Sequence, residues 1–318
     1  MNQRGTSTVE TAPWKYEGWI AAKDIVTAGM LACCLIAALL PARYWRAASR
    51  LMARAHLRLR SGSAHLLEQP GAFLNKDPRS LVQEAVAADY LFNIQATREI
   101  LPGEWRCEIP LTGREVLDGA LQRSRGAVLW YSPFVGSEFV PKKALALAGY
   151  RLTLLSSPFH PFSSSRIGGR LLNPVRLCAE NRYLTRRVRV VYGNAQPALA
   201  VLRQVLLENG VVLIKAIGTG RRSLTFPFLG GIIDLAVGAP RLAYETGAAL
   251  ISVHTLPDHN GEYRVELGPE LTPPTGLSDH QAVHHMASRY VDLLEPIVLA
   301  YPAHWEGWFH PDTWRPIS

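Results

Sequence analysis

The chain has 318 residues, 48% of them apolar and 19% charged, with a net charge of +8. That balance excludes a disordered, collagen-like or coiled-coil chain and suits one sizeable α/β domain. The positive surplus is mostly arginine and favours acidic partners: anionic lipid headgroups, phosphorylated substrates, an acidic carrier protein or nucleic acid.

Residues 1–24 read as an amino-terminal tail of mixed charge, which does not fit the short basic start of a cleaved signal peptide. Ile25 to Leu40 (IVTAGMLACCLIAALL) is uncharged and almost wholly apolar. As a helix it extends roughly 24 Å, a little less than the hydrocarbon core of about 30 Å. Residues 25–40 therefore read as a membrane segment that either crosses the bilayer or only enters it, with a buried core helix as the alternative. Arg43, Arg46, Arg50, Arg54 and Arg58 follow at helical spacing, with no acidic residue between Pro41 and Gly62. Arginines in that place flank the cytoplasmic side of a membrane helix and attract anionic lipid, although a solvated helix face would look the same. Residues 41–76 are expected to form a basic membrane-surface helix and linker, with Tyr44 and Trp45 at headgroup level and Leu51, Met52, Ala55 and Leu59 dipping inward. The four cysteines, Cys33, Cys34, Cys107 and Cys178, form no CxxC pair and read as buried or membrane-embedded thiols in a reducing compartment.

Residues 77–318 alternate helix and strand. Helices are expected over Asp77 to Leu101, Arg114 to Arg123, Lys142 to Gly149, Val175 to Arg186, Pro197 to Asn209 and Gly238 to Gly247. Strands are expected over Ala127 to Tyr131, Arg151 to Leu155, Val188 to Tyr192, Val211 to Ala216, Ala248 to His254 and Tyr263 to Leu267. This order predicts an α/β fold with a mostly parallel sheet covered by helices. Ligands of such sheets bind at the carboxyl ends of the strands, so the loops Ser132 to Phe139, Ser156 to Arg170, Ile217 to Gly231 and His254 to Gly261 are where a site is expected.

Several segments carry a resemblance. They are Ile109 to Tyr131 (IPLTGREVLDGALQRSRGAVLWY), Leu224 to Ala243 (LTFPFLGGIIDLAVGAPRLA), Thr246 to Val253 (TGAALISV) and Leu299 to His310 (LAYPAHWEGWFH). In their order and spacing they resemble the bacterial lipid A late acyltransferases of the lysophospholipid acyltransferase superfamily, from about Asp77 to His310. The resemblance implies a glycerolipid acyltransferase-like fold. It also implies transfer of a fatty acyl group from a thioester, on acyl carrier protein or CoA, to a hydroxyl of a lipid or glycolipid, with no metal or other cofactor. The site of action would be the cytoplasmic face of a bacterial inner membrane.

The family's motif is a histidine, four residues and an acidic residue after the first core strand. In YSPFVGSEF, Glu138 stands at the acidic position and Pro133 at that of the histidine. A carboxylate there orients a base, but proline supplies none. His160, in SSPFHPFSSSR after the second strand, is the candidate replacement base. The alternative is a catalytically inactive lipid-binding or accessory protein on the same fold. Ser132 beside the motif, Arg166 and Arg170 four residues apart, and Arg221 and Arg222 in GTGRRS are candidate substrate contacts, since arginine presents a fork of donors to phosphate or carboxylate.

His280 and His284 have the spacing of two ligands on one helix face, with His285 adjacent, but HQAVHH lacks the glutamate of a zinc motif and no metal is expected. Walker A and GxGxxG loops are absent, and so is GxSxG, which leaves nucleotide binding and hydrolase-type serine chemistry unsupported. Trp305, Trp308, Phe309 and Trp314 are expected to cap the core or touch a membrane, and no nucleic-acid partner is expected.

Overall fold

The computed structural model describes residues 7–9, 18, 19, 21–59, 68–156, 163, 165–190, 194–216, 222–258, 261–310 and 312–316. His160 and Arg221 lie outside the described residues.

In chain order the elements open with β1 (Ser7–Val9), α1 (Ala22–Ala38), α2 (Trp45–Leu59), α3 (Glu68–Phe73), α4 (Pro78–Ile100), β2 (Leu111–Thr112), α5 (Arg114–Gln122) and β3 (Ala127–Tyr131). They continue with α6 (Val140–Leu147), β4 (Leu152–Ser156), α7 (Arg166–Leu171), α8 (Asn173–Asn181), β5 (Arg186–Arg189), α9 (Gln196–Leu207) and β6 (Val211–Lys215). The remainder is β7 (Ser223–Phe228), β8 (Gly231–Ala236), α10 (Gly238–Thr246), β9 (Ala249–Pro257), β10 (Tyr263–Glu270), α11 (Asp279–Ala300) and β11 (Trp314–Pro316).

The main sheet has eight strands in the order β1-β5-β4-β6-β3-β9-β10-β2. Every neighbouring pair is parallel except β9 with β10. The α/β class and the mostly parallel, helix-covered sheet are as expected. β3, AVLWY, sits at the centre and is buried along its whole length, which is why it reads as an unbroken apolar run. Its alternating residues feed two cores: Val128 and Trp130 lie with Tyr290 of α11, while Leu129 and Tyr131 lie with Phe139 just before α6. Each such side chain contributes roughly 1.5–3 kcal/mol by leaving water.

Some boundaries moved. The helix expected to run to Arg186 ends at Asn181, and Arg186 and Arg187 open β5. Segment 217–231, expected as one loop, holds β7, and β7, β8 and β11 form a separate antiparallel sheet of three strands.

α1 differs most from expectation. It is a helix of 17 residues, and among the described residues no helix is long and apolar enough to cross a membrane. It packs along α4, burying Cys34, Ala37 and Ala38. Its first turn is tied to the body, because Asp24 accepts hydrogen bonds from the Ser163 hydroxyl at 2.6 Å and the Ser165 hydroxyl at 2.5 Å. Gly168 permits this approach: a Cβ there would sit 2.7 Å from the Asp24 carboxylate. Burial pushes the Asp24 carboxyl up, but the bonds from Ser163, Ser165 and the Ala21 N–H outweigh it and hold the pKa below its usual value.

α2 also packs on α4. Trp45, expected at headgroup level, is buried instead and donates its indole N–H to the Leu40 carbonyl at 2.9 Å. Leu51 and Ala55 are exposed, but Met52 turns toward the core. Of the cysteines only Cys34 is fully buried, while Cys33 and Cys178 are exposed.

Under α6 lies a buried ionic knot. Glu180 of α8 receives Lys142 at 2.8 Å and Arg187 at 2.7 Å, and all three side chains are inaccessible to solvent. Removing the carboxylate that both cations share leaves them facing each other, so Glu180→Gln is expected to cost about 3–5 kcal/mol, read as a lower urea midpoint with an unchanged slope.

Candidate functional site

β3 ends at Tyr131, and the chain then turns through Ser132 to Phe139 into α6. Gly136 makes the turn possible, with a positive φ of 87° and room for no more than light contact against Tyr263 and Val140. The aromatic carboxyl-terminal segment lies across this loop like a strap. Phe134 bridges to Trp305, the Val135 N–H donates to the His304 carbonyl at 2.8 Å, and the Glu306 N–H donates to the Pro133 carbonyl at 2.7 Å. Pro133 stands where the resembled motif has its histidine, so the strap places a carboxyl-bearing residue beside that position.

Glu138 is the centre of the charged groups. Its carboxylate is about one-fifth exposed, at 19%, and pairs with Lys215 at the end of β6 at 2.6 Å. The Tyr131 hydroxyl donates to it at 3.2 Å, and Lys142 lies 3.9 Å away while donating to the Glu138 carbonyl. Burial works against the Lys215 ammonium, but Glu138 and Glu306 beside it outweigh that and hold its pKa above the usual lysine value. For Lys142 burial wins over Glu180 and Glu138, and its pKa is lowered. Burial, with Glu138 adding to it, raises the Tyr131 phenol.

Glu306 is different in kind. Burial lifts its pKa to about 7, and Lys215 offsets this only in part because Asp89 and Glu138 push the same way. Arg176 of α8 also lowers that pKa. Glu306 thus feels Glu138 and Lys215 as well as Asp89 and Arg176. Arg176 also lines a crevice beneath α1 with Leu31, Asn93, Ala96, Thr97 and Val175. Arg176 donates to the Asn93 side-chain oxygen at 2.5 Å there.

Ser132, expected to touch substrate, points to the opposite face of the sheet and is fully buried. Its hydroxyl lies 3.4 Å from Nδ1 of His254 on β9, and the His254 ring stacks on Tyr290. Burial drops the His254 pKa to about 4, so this ring is neutral at ordinary pH. Ser132 and His254 are a core hydrogen-bonded pair without access to solvent, not a nucleophile and base.

Arg166 and Arg170 are exposed on α7, and Arg222 is exposed just before β7. The Arg166 guanidinium lies 4.6 Å over the Trp19 ring. Glu138 is the expected residue that the described structure places in the cluster. Lys215, Glu306, Lys142 and Arg176 join it unannounced. The signal available for three of them was a charge inside an apolar setting: VVLIK, VPKKALAL and WEGW. His284, weighed as a ligand, lies with its ring tilted at 52° and 5.1 Å from that of Phe226.

No protein-family model matches the chain, and no curated protein matches it either.

The raised pKa of Glu306 has a sign that can be checked. A carboxyl that binds its proton more tightly folded than unfolded contributes fully below its unfolded value of about 4.3, and that contribution fades as pH climbs toward the folded value. Stability is expected to fall between about pH 4.5 and 7 by on the order of 3 kcal/mol from this group. Glu306→Gln should flatten that part of the profile in urea titrations taken across the window.

Proposed function

We propose that the protein is a membrane-associated acyltransferase of the kind its sequence resembles. It moves a fatty acyl group from a thioester, on acyl carrier protein or CoA, to a hydroxyl of a lipid or glycolipid at the cytoplasmic face of a bacterial inner membrane. The observation that carries this reading is the group of ionisable side chains at the carboxyl ends of β3 and β6: an ammonium fixed by Glu138 and a carboxyl of near-neutral pKa beside it.

In this reading Glu306 is the proton acceptor. Its carboxylate takes the proton of the acceptor hydroxyl as that oxygen attacks the thioester carbonyl carbon. The Lys215 ammonium faces the oxyanion that forms, which is the electrostatic role usual in acyl transfer. Collapse breaks the carbon–sulfur bond, and the proton on Glu306 passes to the departing thiolate. Glu138 is a positioning residue that acts through Lys215. Arg166, Arg170, Arg221 and Arg222 offset negative charge on donor or acceptor. His160 is the other group the sequence offers for the proton.

The test is release of free thiol from acyl-CoA and acyl carrier protein in the presence of a bacterial phospholipid and glycolipid extract. Glu306→Gln is expected to lower the rate by about 10²–10⁴ and to remove a pH limb near 7, while His160→Ala stays close to wild type. Glu138→Gln should shift the pH profile by loosening Lys215, an effect a purely structural role would not produce. The reverse pattern, with His160→Ala inactive and Glu306→Gln active, overturns the assignment to Glu306. Absence of thiol release by the wild-type chain that still binds the extract overturns acyl transfer and leaves the inactive lipid-binding reading. The proline at Pro133 and the ion pairs that occupy Glu138 favour that second reading.

A further inference from the structure

Two observations about α1 point in opposite directions for a soluble helix. Its inward face carries the carboxylate, since Asp24 is buried against Ser163 and Ser165. From Ile25 onward its outward face is uncharged and mostly apolar: the exposed residues to Leu40 include Ile25, Val26, Leu35, Ile36, Leu39 and Leu40, and Lys23 in the first turn is its exposed charge. An exposed stripe of this kind marks an interaction surface. It extends past α1 to neighbouring groups. The Arg166 and Ile167 N–H groups donate to the Gly18 and Trp19 carbonyls at 2.9 and 3.0 Å. That junction carries exposed Trp19, Ile167 and Leu171.

The charge around this surface selects its occupant. Arg43, Arg46, Arg50, Arg54 and Arg58 at one end, and Arg166 and Arg170 at the other, are all exposed. A second copy of this chain would bring the same positive rim against it, whereas an anionic leaflet complements both the apolar stripe and the arginines.

The attachment of α1 decides the geometry. Seventeen helical residues reach only about 25 Å, and a crossing would pull Asp24 out of its hydroxyl partners toward hydrocarbon. α1 would also have to leave α4, exposing Cys34, Ala37 and Ala38. We propose that α1 lies in the plane of an anionic membrane leaflet as a monotopic anchor clamped to the body, with α2 and α7 seated at the headgroups on either side. This rests on the membrane association in the proposed function and gives it a geometry.

Cys33 lies midway along the stripe and is exposed, and Cys178 is the other exposed cysteine. The full chain carrying Cys178→Ser is labelled at Cys33 with an environment-sensitive fluorophore. It is then mixed with phosphatidylglycerol and phosphatidylcholine vesicles that hold quenchers at graded depths. An in-plane helix predicts strongest quenching about 5–10 Å below the headgroups, and a crossing helix predicts it near the bilayer centre, roughly 15 Å deep. Ile36→Glu with Leu39→Glu, confirmed as folded by circular dichroism, should reduce partitioning by about tenfold or more. Replacing Arg50, Arg54 and Arg58 by Gln should abolish the preference for phosphatidylglycerol and the sensitivity to salt.

Quenching at the bilayer centre overturns the in-plane anchor while leaving acyl transfer intact. Shallow quenching in a chain that releases no thiol does the reverse. Absence of binding to either vesicle overturns the anchor and the membrane association together. A lipid-free dimer that Ile36→Glu with Leu39→Glu disperses assigns the stripe to a second copy and overturns the lipid proposal.

Discussion

Lys215 stays charged at the carboxyl edge of the sheet because two carboxyl groups face it, and that arrangement constrains everything around it. With Glu138 2.6 Å away, the pair balances one negative charge against one positive. Glu306, arriving from the strap, then finds the nearest cation already shared, and burial keeps its proton on until about pH 7. Were Lys215 free of Glu138, its attraction would act on Glu306 alone and bring that carboxyl down. The carboxyl with the near-neutral pKa is thus the one whose backbone the strap pairs with Pro133.

The supports of this system are ordinary packing. Tyr131 reaches Glu138 because it ends a fully buried strand whose odd-numbered residues face α6, and Ser132 turns away because the next residue must face the other side. The same alternation explains why Ser132 and His254 meet where no substrate can reach them. Lys142, fixed between Glu138 and Glu180, ties the start of α6 to α8 and so fixes the angle at which Glu138 is presented. The buried knot around Glu180 would be a liability if any one member were removed, since burial without a partner costs more than the pairing returns.

What the sequence disclosed follows from which interactions are local. AVLWY, its flanking glycine and the apolar spacing of α4 are properties of neighbouring residues, and those elements fall where spacing put them. β7 was hidden because LTFPF is interrupted by a proline, and its sheet is completed by β8, which pairs on its other edge with the distant β11. Glu138 was legible through a motif. Glu306 was not, because its meaning comes from backbone pairing with a loop far away in the chain. The helix was expected to reach Arg186 and the strand to start at Val188, whereas β5 already opens at Arg186 and Arg187 is buried against a carboxylate that only tertiary structure supplies. The apolar run at 25–40 was ambiguous for the same reason: hydropathy does not record that Asp24 would be claimed by serines just before α7.

That claim on Asp24 links the two halves of the molecule. Ser163 and Ser165 belong to the segment that leaves the carboxyl end of β4, the same sheet edge where β3 and β6 present Glu138 and Lys215. Binding α1 to this segment sets the apolar stripe and the charged cluster on connected structure. Loosening Asp24 would disturb both, because one carboxylate orients the helix that carries the apolar stripe and the serines at the start of α7.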